Sequence, residues 1–260
     1  MPIALNIYYH SSKKDGGSHL PVVLIHGAGG SHLSWPHEIR RHPNLRIFTI
    51  DLPGHGKSGG HGLQSIDAYA DSVLDWMESI GLHRAVFAGH SMGGAIALTL
   101  AKKAPEHVLG NVLVSTGAKL KVHPSILENT ETSQTLPAAI SAIISKSFGR
   151  NTDTRLVELT QKRLMETRPS VLHGDFIACD GFNMMTSLPS IRTPTLVICG
   201  ENDQLTPLRY SQYLSDNIQG AVLNVIPNSG HMVMLEQPKS VVEVLTHFLS
   251  SISFQPGQIK

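Results

Sequence analysis

The chain has 260 residues, of which 41% are hydrophobic and 16% charged, and its 21 Lys and Arg nearly cancel its 20 Asp and Glu. A chain of this length and apolar content buries a substantial core, which argues against disorder, and its balanced charge creates no global field to draw in nucleic acid or anionic lipid. A small, weakly charged molecule is the partner that suits this balance.

Within Met1 to His10 there is no basic stretch followed by a long apolar one, and no window reaches the roughly 18 apolar residues that a membrane span requires. A soluble, cytoplasmic protein without a membrane span is expected, as a monomer or homodimer. Cys179 and Cys199 lie far apart and lack Cys-x-x-Cys or Cys/His spacing, which argues against a disulfide framework and a zinc site. A bridge between them is the weaker reading. Cys199 ends an apolar run and reads as a small core residue. His10, His19, His37, His42, His61, His83 and His107 sit among polar or turn-forming residues and read as solvated surface.

Residues 3–9 suggest an antiparallel edge hairpin. Pro21 to Ile25 is the first strong strand, followed by a Gly-rich turn at 27–30, and Leu45 to Ile50 is the next, ending at Asp51-Leu52-Pro53-Gly54. Ile66, Tyr69, Ala70, Val73, Trp76, Met77 and Ile80 recur at helical spacing, with Gly81 as a stop. Arg84 to Ala88 reads as a strand, and Ala95 to Ala101, apolar on every side, as a helix buried against a sheet. Further strands are expected at Asn111–Ser115, Thr195–Cys199 and Ala221–Ile226, with a closing amphipathic helix at Val241–Phe248. Strands alternating with helices make a mostly parallel sheet flanked by helices. The alternation stops between about Gly117 and Ile191, where only helical patterns occur, at 138–147, 154–166 and 171–185. The predicted organisation is a core of residues 1–117 and 192–260 with a helical cap inserted at 118–191.

Gly89-His90-Ser91-Met92-Gly93 is a G-x-S-x-G pentapeptide with a strand before it and a buried helix after it, the context of a nucleophile elbow. The flanking glycines allow strand and helix to approach across a strained turn. With His26-Gly27 upstream and Asn228-Ser229-Gly230-His231-Met232 downstream, nearly the whole chain resembles the α/β-hydrolase superfamily, in its capped serine esterase and enol-lactonase-like branch. That resemblance implies the chain order nucleophile, acid, histidine.

A serine hydroxyl needs a base, and His231, in a loop after the sixth strand, matches the family's histidine. Asp203, in Gly200-Glu201-Asn202-Asp203-Gln204, matches the family's acid, with Glu201 as its nearest competitor; 115–118 offers no carboxylate at the alternative position. The resemblance places oxyanion-hole amides at Met92 and at Ala28, with Gly29 as runner-up to Ala28. Asp51 to Ser58 mimics part of a phosphate loop, but Asp51 stands where that loop requires Gly, so the segment reads as a turn near the site's rim. His26 and His90 read as hydrogen-bonded loop residues. No cofactor or metal is implied.

The expected reaction is hydrolysis of carboxylic esters of small to medium acyl chain. Phe176, Phe182, Met184, Met185 and Leu188 are apolar cap residues suited either to aliphatic chains or to the cap's own core, and Phe182, Met185 and Met232 are the expected substrate contacts. The same triad serves lactonases, monoacylglycerol lipases, thioesterases, carbon–carbon bond hydrolases and perhydrolases, and a ligand receptor that retains the triad is a reading of a different class. Dehalogenases and epoxide hydrolases need a carboxylate at position 91, which Ser91 argues against.

Overall fold

The structure, a computed structural model, describes residues 2–12 and 19–253. Its strands are β1 (Ile3–Ala4), β2 (Ile7–Ser11), β3 (Pro21–Ile25), β4 (Arg46–Ile50), β5 (Ala85–His90), β6 (Val108–Val114), β7 (Thr195–Gly200) and β8 (Val222–Ile226). They form one sheet in the order β1-β2-β4-β3-β5-β6-β7-β8. β1 and β2 pair antiparallel, as do β2 and β4, while β4 through β8 run parallel in the sheet.

The helices are α1 (His37–Arg40), α2 (Ile66–Ser79), α3 (Met92–Lys103), α4 (Pro124–Thr130), α5 (Leu136–Ser147), α6 (Thr154–Met165), α7 (Pro169–Gly181), α8 (Leu208–Asn217), α9 (Val233–Glu236) and α10 (Pro238–Ser251). Adjacent residues of the central strands point to opposite faces, so a parallel strand covered on both sides must be apolar throughout. Val23, Ile25, Phe87, Leu113 and Val197 join a core with Tyr69, Val73 and Trp76 of α2 and Leu214 of α8. Their neighbours Val22, Leu24, Val86, Val112 and Ile198 join a second core with Ile39 of α1 and Val241 and Leu245 of α10. Each such side chain, fully buried, contributes about 1.5–3 kcal/mol relative to exposure.

The segment between β6 and β7 is helical, as its pattern suggests, with one isolated bridge between Lys119 and Asn183. Leu136, Ile140 and Ile144 of α5 pack with Leu172 of α7 in a third, small apolar cluster that reaches Ala28 in the loop after β3. This contact joins the segment to the loop at the carboxyl end of β3.

Several boundaries differ from expectation. β6 begins three residues early, at Val108, and its pairing with β5 shifts register between Val108 and Gly110, where a β-carbon on Gly110 would lie 2.7 Å from Ile252 Cδ1. The helical run at 171–185 breaks after Gly181, and a 3-10 helix follows at Met185–Ser190. The short α4 is signalled only by Pro124 at its first turn and the His123 side chain accepting from the Ser125 amide. No helix among the described residues is long and apolar enough to cross a membrane. Both cysteines are free and buried.

Candidate active site

Ser91 stands between the end of β5 and the start of α3, at φ 53° and ψ −115°. A β-carbon on Gly89 would lie 2.0 Å from the Gly93 carbonyl oxygen, and one on Gly93 would lie 2.4 Å from that of Ile25. The two glycines are therefore what lets strand, turn and helix come together, and the cost is a strained serine at the apex. The Ser91 amide donates to the Val114 carbonyl (2.9 Å) and the Thr116 hydroxyl donates to the Ser91 carbonyl (2.8 Å), so β6 and the residues after it fix the turn from below.

Asp203 and His231 come from the loops after β7 and β8. His231 Nδ1 lies 2.9 Å from Asp203 Oδ2 and 3.2 Å from Oδ1, and the Asp203 side chain is fully buried. The amides of Leu205 and Thr206 each donate to Asp203 Oδ1 at 2.9 Å, and the Thr206 hydroxyl donates to Oδ2 at 2.8 Å. Burial opposes ionisation of Asp203, but the His231 charge and hydrogen bond and the Thr206 donors outweigh it and hold the carboxyl below its ordinary value. Glu201, the competing carboxylate, instead accepts from the Asn228 amide at 3.2 Å.

Ser91 and His231 line the same cavity, of about 540 Å³, together with Ala28, Phe176 and Met232. A second cavity of about 360 Å³, beneath α4 and α5, also opens on Ser91, Ala28 and His231. The two lobes thus meet at the serine. Thr206 belongs to this group although its residue type carried no chemical expectation; its place three residues after Asp203 was the available signal.

The loop after β3 brings Ala28 to the cavity, and Met92 opens α3, where a first-turn amide has no intrahelical acceptor. The neighbouring Gly29 amide is taken: it donates to Asp175 Oδ2 at 2.8 Å. Met232 lines the larger cavity. Phe182 and Met185 do not, which corrects their expected role. Because the chain turns after Gly181, Phe182 is buried in the core on the α2–α3 side of the sheet, with Met184 and Leu188, and Met185 points outward at 37% exposure. Phe176, on α7, lines both cavities, and Tyr210 lines the second.

The surrounding histidines are held in defined states. His26 Nε2 accepts from the Leu52 amide at 3.0 Å, leaving Nδ1 to donate to the Gly27 carbonyl at 2.8 Å, and burial pushes its pKa down to about 4. His90 Nε2 donates to the His231 carbonyl at 3.0 Å, and burial with the neighbouring His231 pushes its pKa down to about 3. Both are neutral braces. His55 differs, because Nδ1 faces the Pro53 carbonyl (3.0 Å) and Nε2 faces Asp175 Oδ2 (2.7 Å). Burial lowers its pKa, yet the Asp175 charge and hydrogen bond prevail and raise it. The turn at 51–58 is structural at its base, where Asp51 accepts from the His32 and Lys57 amides, and its tip at 54–57 lines the cavity.

Glu236 braces the histidine loop. Its carboxylate accepts from the Gly230 amide (2.8 Å) on one oxygen and from the Gly149 amide (2.7 Å) on the other, tying that loop to the α5–α6 connection.

A sequence model of the alpha/beta hydrolase family matches residues 22–244, which takes in the strained serine, the acid and the histidine. The chain belongs to the alpha/beta hydrolase family. It is 29% identical over 247 residues to the dihydrolipoyllysine-residue acetyltransferase component of an acetoin cleaving system from Pseudomonas putida, covering 90% of this chain and 64% of that protein's length. Among solved structures, a thermophilic esterase superposes with a TM-score of 0.81 at 33% identity, covering 95% of this chain and 99% of that one. The enol-lactonase of Burkholderia xenovorans LB400 superposes with a TM-score of 0.88 at 22% identity, covering 94% of this chain and 96% of that one. This last likeness speaks for the fold alone.

Proposed function

We infer that this family member is a serine hydrolase of carboxylic esters with small to medium acyl chains. The observation that carries the reading is Asp203 bonded to His231 in the cavity that also exposes Ser91 at a strained strand-to-helix turn. In this reading Ser91 Oγ attacks the ester carbonyl as His231 Nε2 takes its proton, and Asp203 holds the Nδ1–H tautomer. The Ala28 and Met92 amides donate to the oxyanion that forms. Collapse of the tetrahedral adduct expels the alcohol, protonated by His231, and leaves an acyl-enzyme. Water, activated by the same histidine, then releases the acid.

Residues 118–191 act as a cap over the core formed by 1–117 and 192–260, since Ile143, Leu164 and Phe176 of this segment line the cavity above Ser91. The two lobes that meet at Ser91 give the acyl and alcohol halves separate compartments. The 33% identity to a thermophilic esterase over nearly the full length of both chains supports esters as the substrate class. The test is initial rates on 4-nitrophenyl esters from acetyl to palmitoyl, with a monoacylglycerol and a lactone alongside. Highest kcat/KM on short to medium esters is expected. A single turnover, or none on any of these, overturns the reading in favour of a ligand-binding role, and preference for the lactone or the monoacylglycerol overturns the substrate class.

A further inference from the structure

The amide beside the expected oxyanion donor is held by a residue far away in sequence. Asp175, fully buried on α7, accepts three hydrogen bonds from three segments of the core: Gly29 N–H (2.8 Å) and His55 Nε2–H (2.7 Å) on Oδ2, and Tyr69 O–H (2.6 Å) on Oδ1. Tyr69 is itself fixed by accepting from the Leu63 amide at 2.9 Å, and burial and the Asp175 charge raise its pKa, which keeps it a donor. The other side of Gly29 is also tied to this region, where the Thr167 hydroxyl donates to the Gly29 carbonyl at 2.8 Å.

These bonds determine the direction of one further group. The Gly29 N–H belongs to the same rigid peptide plane as the Ala28 carbonyl, so anchoring it sets ψ of Ala28. The Gly30 amide closes the turn onto the Gly27 carbonyl at 3.0 Å, and Gly29 adopts φ +62°, a conformation that suits glycine. Between these fixed points the Ala28 amide has little freedom left.

We propose that Asp175 is a positioning residue of the oxyanion hole: from α7 it pins the Gly29 amide and thereby aims the Ala28 amide at the carbonyl oxygen attacked by Ser91. This rests on the reading of Ser91 as nucleophile and Ala28 as oxyanion donor. It gives α7 a part in catalysis through the loop it holds, beyond covering the cavity. An oxyanion donor must be in place before charge develops, because reorienting it during the reaction forfeits its advantage.

The test compares Asp175→Ala, Asp175→Asn, Tyr69→Phe and Ser91→Ala on a 4-nitrophenyl ester, with KM, kcat, thermal midpoint and the inhibition constant of a trifluoromethyl ketone measured for each active variant. Asp175→Ala frees Gly29 and is expected to lower kcat at least about 10-fold, within the roughly 10²–10³-fold cost of losing a donor outright, with KM within about threefold. Affinity for the ketone falls in parallel. Asp175→Asn restores kcat to within about threefold of wild type, since its carbonyl oxygen still accepts from the Gly29 amide, while the altered bonds to His55 and Tyr69 are read in the thermal midpoint. Tyr69→Phe removes only the bond to Oδ1 and keeps kcat, whatever stability it loses.

Three results overturn the proposal: Asp175→Ala retaining kcat, Asp175→Asn losing as much as Asp175→Ala, or kcat across the variants merely following the thermal midpoint. Full activity in Ser91→Ala refutes the underlying reading and the proposal with it. An inactive Ser91→Ala beside an unimpaired Asp175→Ala refutes the proposal alone. Should Asp175→Ala not fold, amide resonances of the wild type decide. On addition of the ketone the Ala28 amide proton moves downfield while that of Gly29 stays in place and protected from exchange; movement of Gly29 instead overturns the assignment.

Discussion

Replacing His90 by glutamine will remove one source of the protein's loss of stability in acid. His90 is buried and neutral, with a pKa pushed down to about 3 from the ordinary histidine value of 6.5. Its depressed value means that the unfolded chain binds the proton more readily, so the associated stability is present above pH 6.5 and is lost as pH falls toward 3. At pH 5 the unfolded histidine is protonated and the folded one is not. The loss is therefore about 1.5 pH units at 1.36 kcal/mol each, or about 2 kcal/mol. His90→Gln retains a side-chain donor for the His231 carbonyl but does not titrate. Its cost in packing is the same at both pH values and cancels in the comparison. Urea unfolding of wild type and variant at pH 7.5 and pH 5.0 measures the effect. The variant is expected to lose about 2 kcal/mol less than wild type between the two conditions. Equal losses would refute the assignment of a neutral, deeply buried ring.

Gly93→Ala forces a β-carbon to 2.4 Å from the Ile25 carbonyl oxygen and is expected to destabilise by about 3 kcal/mol or more, read by urea unfolding. Gly181→Ala meets nothing within 4 Å and is expected to be neutral or to gain about 0.4–1 kcal/mol, so a loss there would contradict the described end of α7. Thr206→Val removes the hydroxyl donor to Asp203 Oδ2; a net bond of about 1 kcal/mol corresponds to about a fivefold fall in kcat, and an unchanged kcat would remove Thr206 from the site. His55 has the opposite sign from His90. Its raised pKa adds stability that is fully present below pH 6.5 and is lost as pH rises through the raised value, so His55→Gln costs more at pH 6 than at pH 9 by urea unfolding.

The sheet was legible because strands covered on both faces must be continuously apolar, and Pro21–Ile25 or Thr195–Cys199 tolerate few other interpretations. The elbow was legible because G-x-S-x-G between a strand and a buried helix satisfies a local steric requirement. Asp203 and His231 were found by their places after β7 and β8, as a family resemblance implies, and the structure brings them within hydrogen-bonding distance. The helical segment was less readable. Residues 171–185 look like one apolar stretch, so periodicity did not reveal that the helix ends at Gly181, nor that Phe176 and not Phe182 lines the cavity. The junction of Gly29, His55, Tyr69 and Asp175 leaves no trace in sequence spacing, since Asp175 lies more than a hundred residues beyond each of its partners. Such networks are set by tertiary packing. The His26 and His90 environments were partly legible, as bonded loop residues, whereas their depth of burial depends on the closing of the loops around them.

The most direct test of the central claim is reaction with a fluorophosphonate, which phosphonylates an activated serine, followed by peptide mass spectrometry and residual-activity measurement. One adduct per chain, carried on Ser91 and appearing in step with the loss of ester hydrolysis, is the predicted result. An adduct confined to another residue, or full hydrolysis by protein completely labelled at Ser91, would contradict it.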